Sequence, residues 1–402
     1  MNVDVLNKVS DRLNRLSESA TIAMARKSRE LKSQGIDVIS LSLGEPDFYT
    51  PDFIKEAANE GIAQNYSKYM AVNGYEDLRQ AISAKFKRDN NLDYNPSQIV
   101  VSTGAKQSIA NVVMSIVNPG DEVIIPAPYW VTYEEIVKMA EGVPVIIEAS
   151  LENDFKITPS QLENAITDKT RMMIYSSPCN PTGSVYSEQE LKELAAVIAK
   201  HPSLIVISDE IYEHINFVGH HTSLAQFANV YDQVVTVNGV SKAFAMTGWR
   251  LGYIGAPDWI ASACTKIQGQ FTSGASSISQ RAAIAAVSAD PSVTFQMRDA
   301  FKSRRELVLA ELNKIPGVKT NIPEGAFYVF PDVSSFFGKS DGHTVVNNAD
   351  DLSMYILSKV NVALVTGAAF GAPNCIRISY AASEDELKEA LKRIEDALLA
   401  LN

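Results

Sequence analysis

The 402-residue chain has only three cysteines, Cys179, Cys264 and Cys375, and none stands in a C-x-x-C pair. So few in so long a chain exclude a disulfide framework and read as a reduced, cytoplasmic protein. No apolar run approaches the ~18 residues that span a bilayer. The first residues, MNVDVLNKVSDRLNRLSES, are charged throughout, with no apolar core of a signal peptide. Basic charge is also short: 36 Lys and Arg against 47 Asp and Glu leave a net −11. That argues against a nucleic-acid surface. The five histidines (201, 214, 220, 221 and 343) show no metal-ligand spacing, so no metal is expected and they read as surface or capping residues. Repeats, low-complexity tracts and Gly/Ser linkers are absent.

What is present is alternation. Short apolar runs rich in β-branched residues occur at 99–103, 122–127, 144–149, 171–177, 203–208, 234–239 and 250–256. Continuous apolar runs suit strands buried on both faces of a parallel sheet. Helical patterns lie between them, one opened by the capping-box spacing Ser187-x-x-Glu190. The expectation is an α/β domain. Beyond about 300 the texture changes. A charged helix starts near Met297, strand-like runs follow at 326–333 and 375–381, and a last helix opens at Ser383-x-x-Glu386. These predict a smaller α+β domain. The division expected is 1–48 as an N-terminal arm and part of the small domain, 49–300 as the large domain, and 301–402 as the small C-terminal domain.

Five of the apolar runs end in polar or glycine-rich clusters, and ligands of open parallel sheets bind at the carboxyl ends of strands. Ser102-Thr103-Gly104-Ala105-Lys106 opens a helix directly after a strand. It is either an anion-binding helix N-terminus or simply a tight turn. It matches neither G-x-G-x-x-G nor a P-loop, which disfavours a nicotinamide dehydrogenase. Asp209 ends the run Leu204-Ile205-Val206-Ile207. A carboxylate there is costly unless paired, so it is a helix cap or the partner of a buried cationic nitrogen. Lys242 is flanked by Ser241 and Ala243-Phe244-Ala245-Met246. It is either a surface lysine or one whose apolar setting frees its amine to attack carbonyls. Arg250, eight residues on, suits a phosphate.

The stretch Ser241-Lys-Ala-Phe-Ala-Met-Thr-Gly-Trp-Arg250-Leu-Gly-Tyr253 resembles the lysine motif of class-I pyridoxal-phosphate-dependent aminotransferases. Gly44-Glu45-Pro46-Asp47-Phe48, Ser67-Lys68-Tyr69, Gly104-Ala105-Lys106-Gln107, Pro128-Tyr129-Trp130, Asn180-Pro181-Thr182-Gly183, Asp209-Glu210-Ile211-Tyr212 and Arg377-Ile378-Ser379 have counterparts in the same order. The resemblance covers nearly the whole chain and is similar to the bacterial-type aspartate aminotransferases of subgroup Ib. It implies fold type I, with a mainly parallel seven-stranded sheet, and pyridoxal 5'-phosphate as cofactor.

Carried over residue by residue, the resemblance makes Lys242 the covalent cofactor anchor and the proton carrier. Asp209 becomes the partner of the pyridinium nitrogen. Tyr212 and Asn180 bond the phenolic oxygen, Trp130 stacks on the ring, and Ser241, Arg250 and the backbone of Gly104, Ala105 and Lys106 take the phosphate. Tyr69 reaches the neighbouring subunit's phosphate in a homodimer with shared sites. Arg377 grips the substrate α-carboxylate, assisted by Gly44, Trp130 and Asn180, while Lys106 and Thr21 face a distal carboxylate. Arg281 reads as helix structure. The implied reaction is ping-pong transamination between L-aspartate or L-glutamate and 2-oxoglutarate or oxaloacetate. The alternative is a glutamate/aspartate–prephenate or broader aromatic aminotransferase. A C–S lyase on the same scaffold is disfavoured by Lys106 with Thr21. A ligand-sensing regulator is disfavoured because the match begins within the first ~20 residues, with no room for a DNA-binding extension.

Overall fold

The computed structural model describes residues 8–402. Seven strands form one sheet in the order Ile99–Ser102, Gly252–Gly255, Val234–Gly239, Ile205–Asp209, Thr170–Ser176, Glu122–Ala127, Val143–Glu148. All neighbours are parallel except around Gly252–Gly255, which runs antiparallel to both of its neighbours. That strand follows the Lys242 loop directly, without a crossover helix, so its direction must reverse.

The apolar runs are explained by helices on both faces. Along each central strand successive residues alternate between two cores. Val101, Ile124, Met173, Val206 and Tyr253 pack with Leu78, Ile82, Phe86 and Leu191. Val100, Ile125, Ile174, Ile207 and Ile254 pack with Ile109, Val113, Ile136 and Ile260. Val143–Glu148 departs from the expectation of burial on both faces. It is the sheet's edge, and Val143 and Ile146 are exposed at 47% and 38%.

A second core gathers Phe301, Val308, Ile356, Ile378 and Ile394 with Ile39 and Leu41 from the other end of the chain. There Ile39–Ser40 pairs in parallel with Val362–Ala363. A three-stranded antiparallel sheet joins Val365–Thr366, Ile376–Ser379 and Tyr328–Val329. The run expected as a strand over 326–333 is paired only at Tyr328–Val329, with single bridges at Asp332. Pro331, which has no N–H to give, interrupts the ladder. Both predicted capping boxes form, Ser187 with Glu190 and Ser383 with Glu386. No helix among the described residues is long and apolar enough to cross a membrane.

Candidate active site

Because the parallel strands share one direction, the ends at Ser102, Ala127, Ser176, Asp209 and Gly239 all lie on one edge of the sheet. Over that edge sits a cavity of about 320 Å³. Its walls bring together Thr21, Gly44, Ala105, Lys106, Trp130, Asn180, Asp209, Tyr212, Ser241, Lys242, Arg250 and Arg377. Tyr69 does not line it and is 99% exposed in the single chain.

The Lys242 ammonium donates to the Gly44 carbonyl at 2.5 Å and lies 5.8 Å from the centre of the Tyr212 ring. Burial brings its pKa down to about 8; Glu45 opposes this, and Arg377 and Arg250 add to it. Asp209 is 4% exposed. Burial pushes its carboxyl up to about 6, although it accepts from the Tyr133 hydroxyl at 2.6 Å and the Ile211 amide at 3.3 Å. A carboxylate raised this way is buried without enough positive charge beside it. Tyr212 and Tyr328 share a hydroxyl hydrogen bond of 2.8 Å, and burial lifts both phenols above their usual range.

Arg377 is 2% exposed. One arm donates to Asn180 Oδ1 at 2.9 Å and the other to the Ser42 carbonyl at 2.6 Å. Its guanidinium lies 4.6 Å from the Tyr328 ring centre and 4.9 Å from that of Phe370. Its Nε has no partner, and no carboxylate pairs with it among the described residues. A buried guanidinium of this kind is built to receive an anion.

A second anion seat forms where the helix Ala105–Ile116 begins. Its cap, Gly104, has φ +84°, and a Cβ there would collide with the Arg250 guanidinium. A Cβ on Gly252 would strike the Ala105 amide. Glycine at both places lets Arg250 and the helix N-terminus crowd together beside Ser241. Arg250 itself stands in the left-handed region at φ +54° and donates to the Thr247 carbonyl. On the outer wall the Lys106 ammonium hangs 5.0 Å from the Trp130 ring centre. Burial and the charge of Arg250 lower its pKa. Thr21 reaches the same cavity from the helix Ala20–Ser33. Arg281 lies on the helix Ser277–Ser288, paired with Asp77 and away from the cavity.

Sequence reasoning missed Tyr133, Tyr328, Ser176 and Thr247, which also line the cavity. Tyr328 sits in an aromatic run read only as a strand, and Tyr133 in a helix with no motif of its own. His221 is not the surface or capping residue expected. It is buried, with Nε2 2.9 Å from Glu210 Oε2. Burial alone would lower its pKa, but the charge and hydrogen bond of Glu210 outweigh that and raise it.

A seven-stranded, mainly parallel sheet with a lysine, a buried acid and two anion seats at its carboxyl edge defines an α/β group-transfer enzyme. Residues 36–394 match the family of class I and II aminotransferases, and the chain belongs to that family. It is 48% identical over 404 aligned residues to a bifunctional aspartate aminotransferase and glutamate/aspartate-prephenate aminotransferase of Petunia hybrida, covering 99% of this chain and 84% of that one. It is 46% identical to an aspartate/prephenate aminotransferase of Nitrosomonas europaea, covering 97% of this chain and all of that one. Among solved structures it superposes on the aspartate aminotransferase of Rhizobium meliloti with a TM-score of 0.95 at 40% identity, covering 98% and 99% of the two chains. With the Thermus thermophilus aspartate aminotransferase bound to maleate the TM-score is 0.91 at 38% identity, covering 97% and 99%. The fold is type I of the pyridoxal-phosphate-dependent enzymes.

Proposed function

We propose that this protein is a pyridoxal 5'-phosphate-dependent aminotransferase exchanging the amino group between L-aspartate or L-glutamate and 2-oxoglutarate or oxaloacetate in a ping-pong reaction. The observation that carries the reading is the pairing, in one cavity, of an amine lowered to about 8 at Lys242 with a buried guanidinium at Arg377 that has no carboxylate partner.

The residues fit the cofactor. Asp209 lacks the cation that its buried carboxylate calls for, and a pyridinium nitrogen supplies one. Ser241, Arg250 and the amides after Gly104 suit a phosphate, and the glycines clear the space. When bound, pyridoxal phosphate supplies the electron sink that accepts the pair left behind when the substrate's α-proton departs. The protein's part is orientation and charge. Lys242 would hold the cofactor and, as a neutral amine, carry the α-proton. Asp209 would keep the ring nitrogen protonated. Tyr212 and Asn180 would bond the phenolic oxygen, and Trp130 would cover the ring. Arg377 grips the α-carboxylate through its fork.

Specificity follows from a second cation. Lys106, with the Thr21 hydroxyl, suits a distal carboxylate, and the Thermus neighbour was solved with the dicarboxylate maleate. Prephenate also carries a second carboxylate. The Petunia and Nitrosomonas relatives are named for it, so it is the second reading.

The working form proposed is a cytoplasmic homodimer in which Tyr69 reaches the partner's phosphate seat. In support, Tyr69 is almost wholly exposed, and Phe271, Met114 and Met139 line an apolar hollow that borders Lys106 and Arg250. The three cysteines are free, as suits a reducing compartment.

Two measurements test this. Borohydride reduction of the cofactor-loaded protein should fix the cofactor on Lys242 by peptide mapping. A panel of amino donors with 2-oxoglutarate should rank aspartate and glutamate first. An adduct at another lysine, or no transamination of any acidic donor, rejects the reading.

A further inference from the structure

Asp209 and Tyr212 line the cavity, but the residues beside them, Glu210 and Glu213, point the other way, into the protein. Glu210 is 1% exposed and Glu213 7%. Two carboxylates so deeply placed are costly unless paired.

Both are held by a continuous set of contacts. Glu213 is in an ion pair with Lys85, itself 2% exposed on the helix Glu76–Asn90, and also accepts from Asn90 Nδ2 at 2.7 Å. Lys85 donates as well to Asn90 Oδ1 at 2.7 Å. The same Asn90 amide reaches the Ser223 hydroxyl at 3.1 Å, which donates to Glu210 Oε2 at 2.6 Å beside His221. Burial opposes ionisation of Glu213, yet Lys85 and His214 outweigh it and hold its pKa well below the carboxylate range. Glu210, Glu213 and His221 bring ligating atoms within 4.8 Å of one another, but Lys85 already supplies the positive charge.

We propose that the buried pairs Lys85–Glu213 and Glu210–His221 are a positioning device: they bolt the turn after Asp209 to the helix Glu76–Asn90 and so fix the depth at which Tyr212 meets the cofactor beside Asp209. The proposal rests on the aminotransferase reading for what Asp209 and Tyr212 do, but not for the clamp itself. Buried ion pairs add little net stability over apolar residues of like volume. What they add here is geometry. Asp209 ends the central strand Ile205–Asp209 and is paired on both sides, but the turn after it is tied by fewer backbone bonds: Glu210 N to Val237 O and Glu213 N to Glu210 O at 2.9 Å, and Ile215 N to Tyr212 O at 2.8 Å. A misplacement of about 1 Å in a reacting group costs on the order of a hundredfold in rate.

The test is the double variant Lys85→Met/Glu213→Leu, which removes both charges while keeping the volume filled, beside Lys85→Arg, which keeps the charge. Three quantities are read: melting temperature and amide exchange of residues 209–213 in the cofactor-free protein, pyridoxal phosphate affinity, and kcat against KM for aspartate. The double variant takes from the buried Asn90 its Lys85 and Glu213 partners and should melt somewhat below wild type, but its exchange should rise specifically within 209–213. It should bind the cofactor about tenfold more weakly and lose about 10–100-fold in kcat with KM little changed. Lys85→Arg should recover most of the kcat. Wild-type exchange, affinity and kcat in the double variant would overturn the clamp. Should the wild-type protein itself fail to transaminate, the functional reading falls, and the exchange rates of 209–213 still decide the clamp.

Discussion

The Tyr133 hydroxyl donates to the Asp209 carboxylate at 2.6 Å, buried beneath the floor of the cavity. Burial, then the charge and hydrogen bond of Asp209, hold the phenol far above its usual pKa, so it remains a donor at every working pH. It fixes Oδ2, while the Ile211 amide at 3.3 Å holds Oδ1, whose second lone pair would remain for a ring nitrogen. A hydrogen bond to a charged group contributes about 1.5–3 kcal/mol. Tyr133→Phe should therefore lower kcat about 10–100-fold and weaken cofactor binding, while KM for aspartate changes little. A variant with unchanged kcat and cofactor affinity would show that Asp209 needs no such support.

Asp209 also makes the cofactor-free protein sensitive to pH. Its folded-state value is raised to about 6, above the unfolded value near 3.9. An acid shifted upward destabilises the fold once charged. The penalty is absent below pH ~4, grows between 4 and 6, and is complete above 6. About two pK units correspond to about 3 kcal/mol. Cofactor-free Asp209→Asn should thus melt higher than wild type at pH 7, with the gap closing as pH falls toward 4. Transamination by the same variant should fall by orders of magnitude. Melting curves across pH 4–8 check the first claim. A gap that stays constant with pH contradicts it.

Lys106 sets the choice of donor if its ammonium meets the distal carboxylate. Lys106→Ala should cost about 10–150-fold in kcat/KM for aspartate, the equivalent of 1.5–3 kcal/mol, and much less for phenylalanine. Thr21→Val should show the same bias more weakly. Arg377→Lys, which loses the fork to Asn180 and Ser42, should weaken both donors alike. An equal fall for both donors in Lys106→Ala would place that side chain with the cofactor instead.

Sharing of sites between subunits can be read by complementation. Tyr69→Phe and Lys242→Ala should each be strongly impaired, for different reasons. Mixed after subunit exchange, they should recover part of the activity, because one hybrid site has both residues. No recovery after exchange has been verified by mass would place Tyr69 outside the neighbouring site.

The sheet was legible because each central strand feeds two cores, which writes a continuous apolar run into the sequence. The edge strand Val143–Glu148 carries the same kind of run for a different reason and misled that reading. The cavity-facing residues Lys242, Asp209 and Asn180 stand in dense polar motifs at or just after strand ends, while Arg377, inside the apolar strand Ile376–Ser379, is legible only through its place in the family's ordered motifs. Their supports stand in no such motif. Tyr133, Tyr328 and Lys85 lie inside elements whose periodicity accounts for them as ordinary core or helix residues, and only tertiary contact brings the two tyrosines to the cavity and Lys85 to Glu213 behind it. His221 shows the same limit. Without the fold, nothing in Gly219-His220-His221-Thr222 separates the exposed histidine from the buried one.

The pairing of Ile39–Ser40 with Val362–Ala363 has a consequence for synthesis. These partners lie about 320 residues apart, and Arg377 takes the Ser42 carbonyl from farther still. At about 5–20 residues per second, the ribosome needs roughly 16–65 s after making Ile39 to make its partner strand. Through that interval Ile39 and Leu41 wait without their core, while the seven-stranded sheet between them can already close. The nascent chain should therefore carry Ile39 and Leu41 without their partners through that interval, and the anion seat at Arg377 can form only well after the cavity floor at Asp209 and Lys242 has been made.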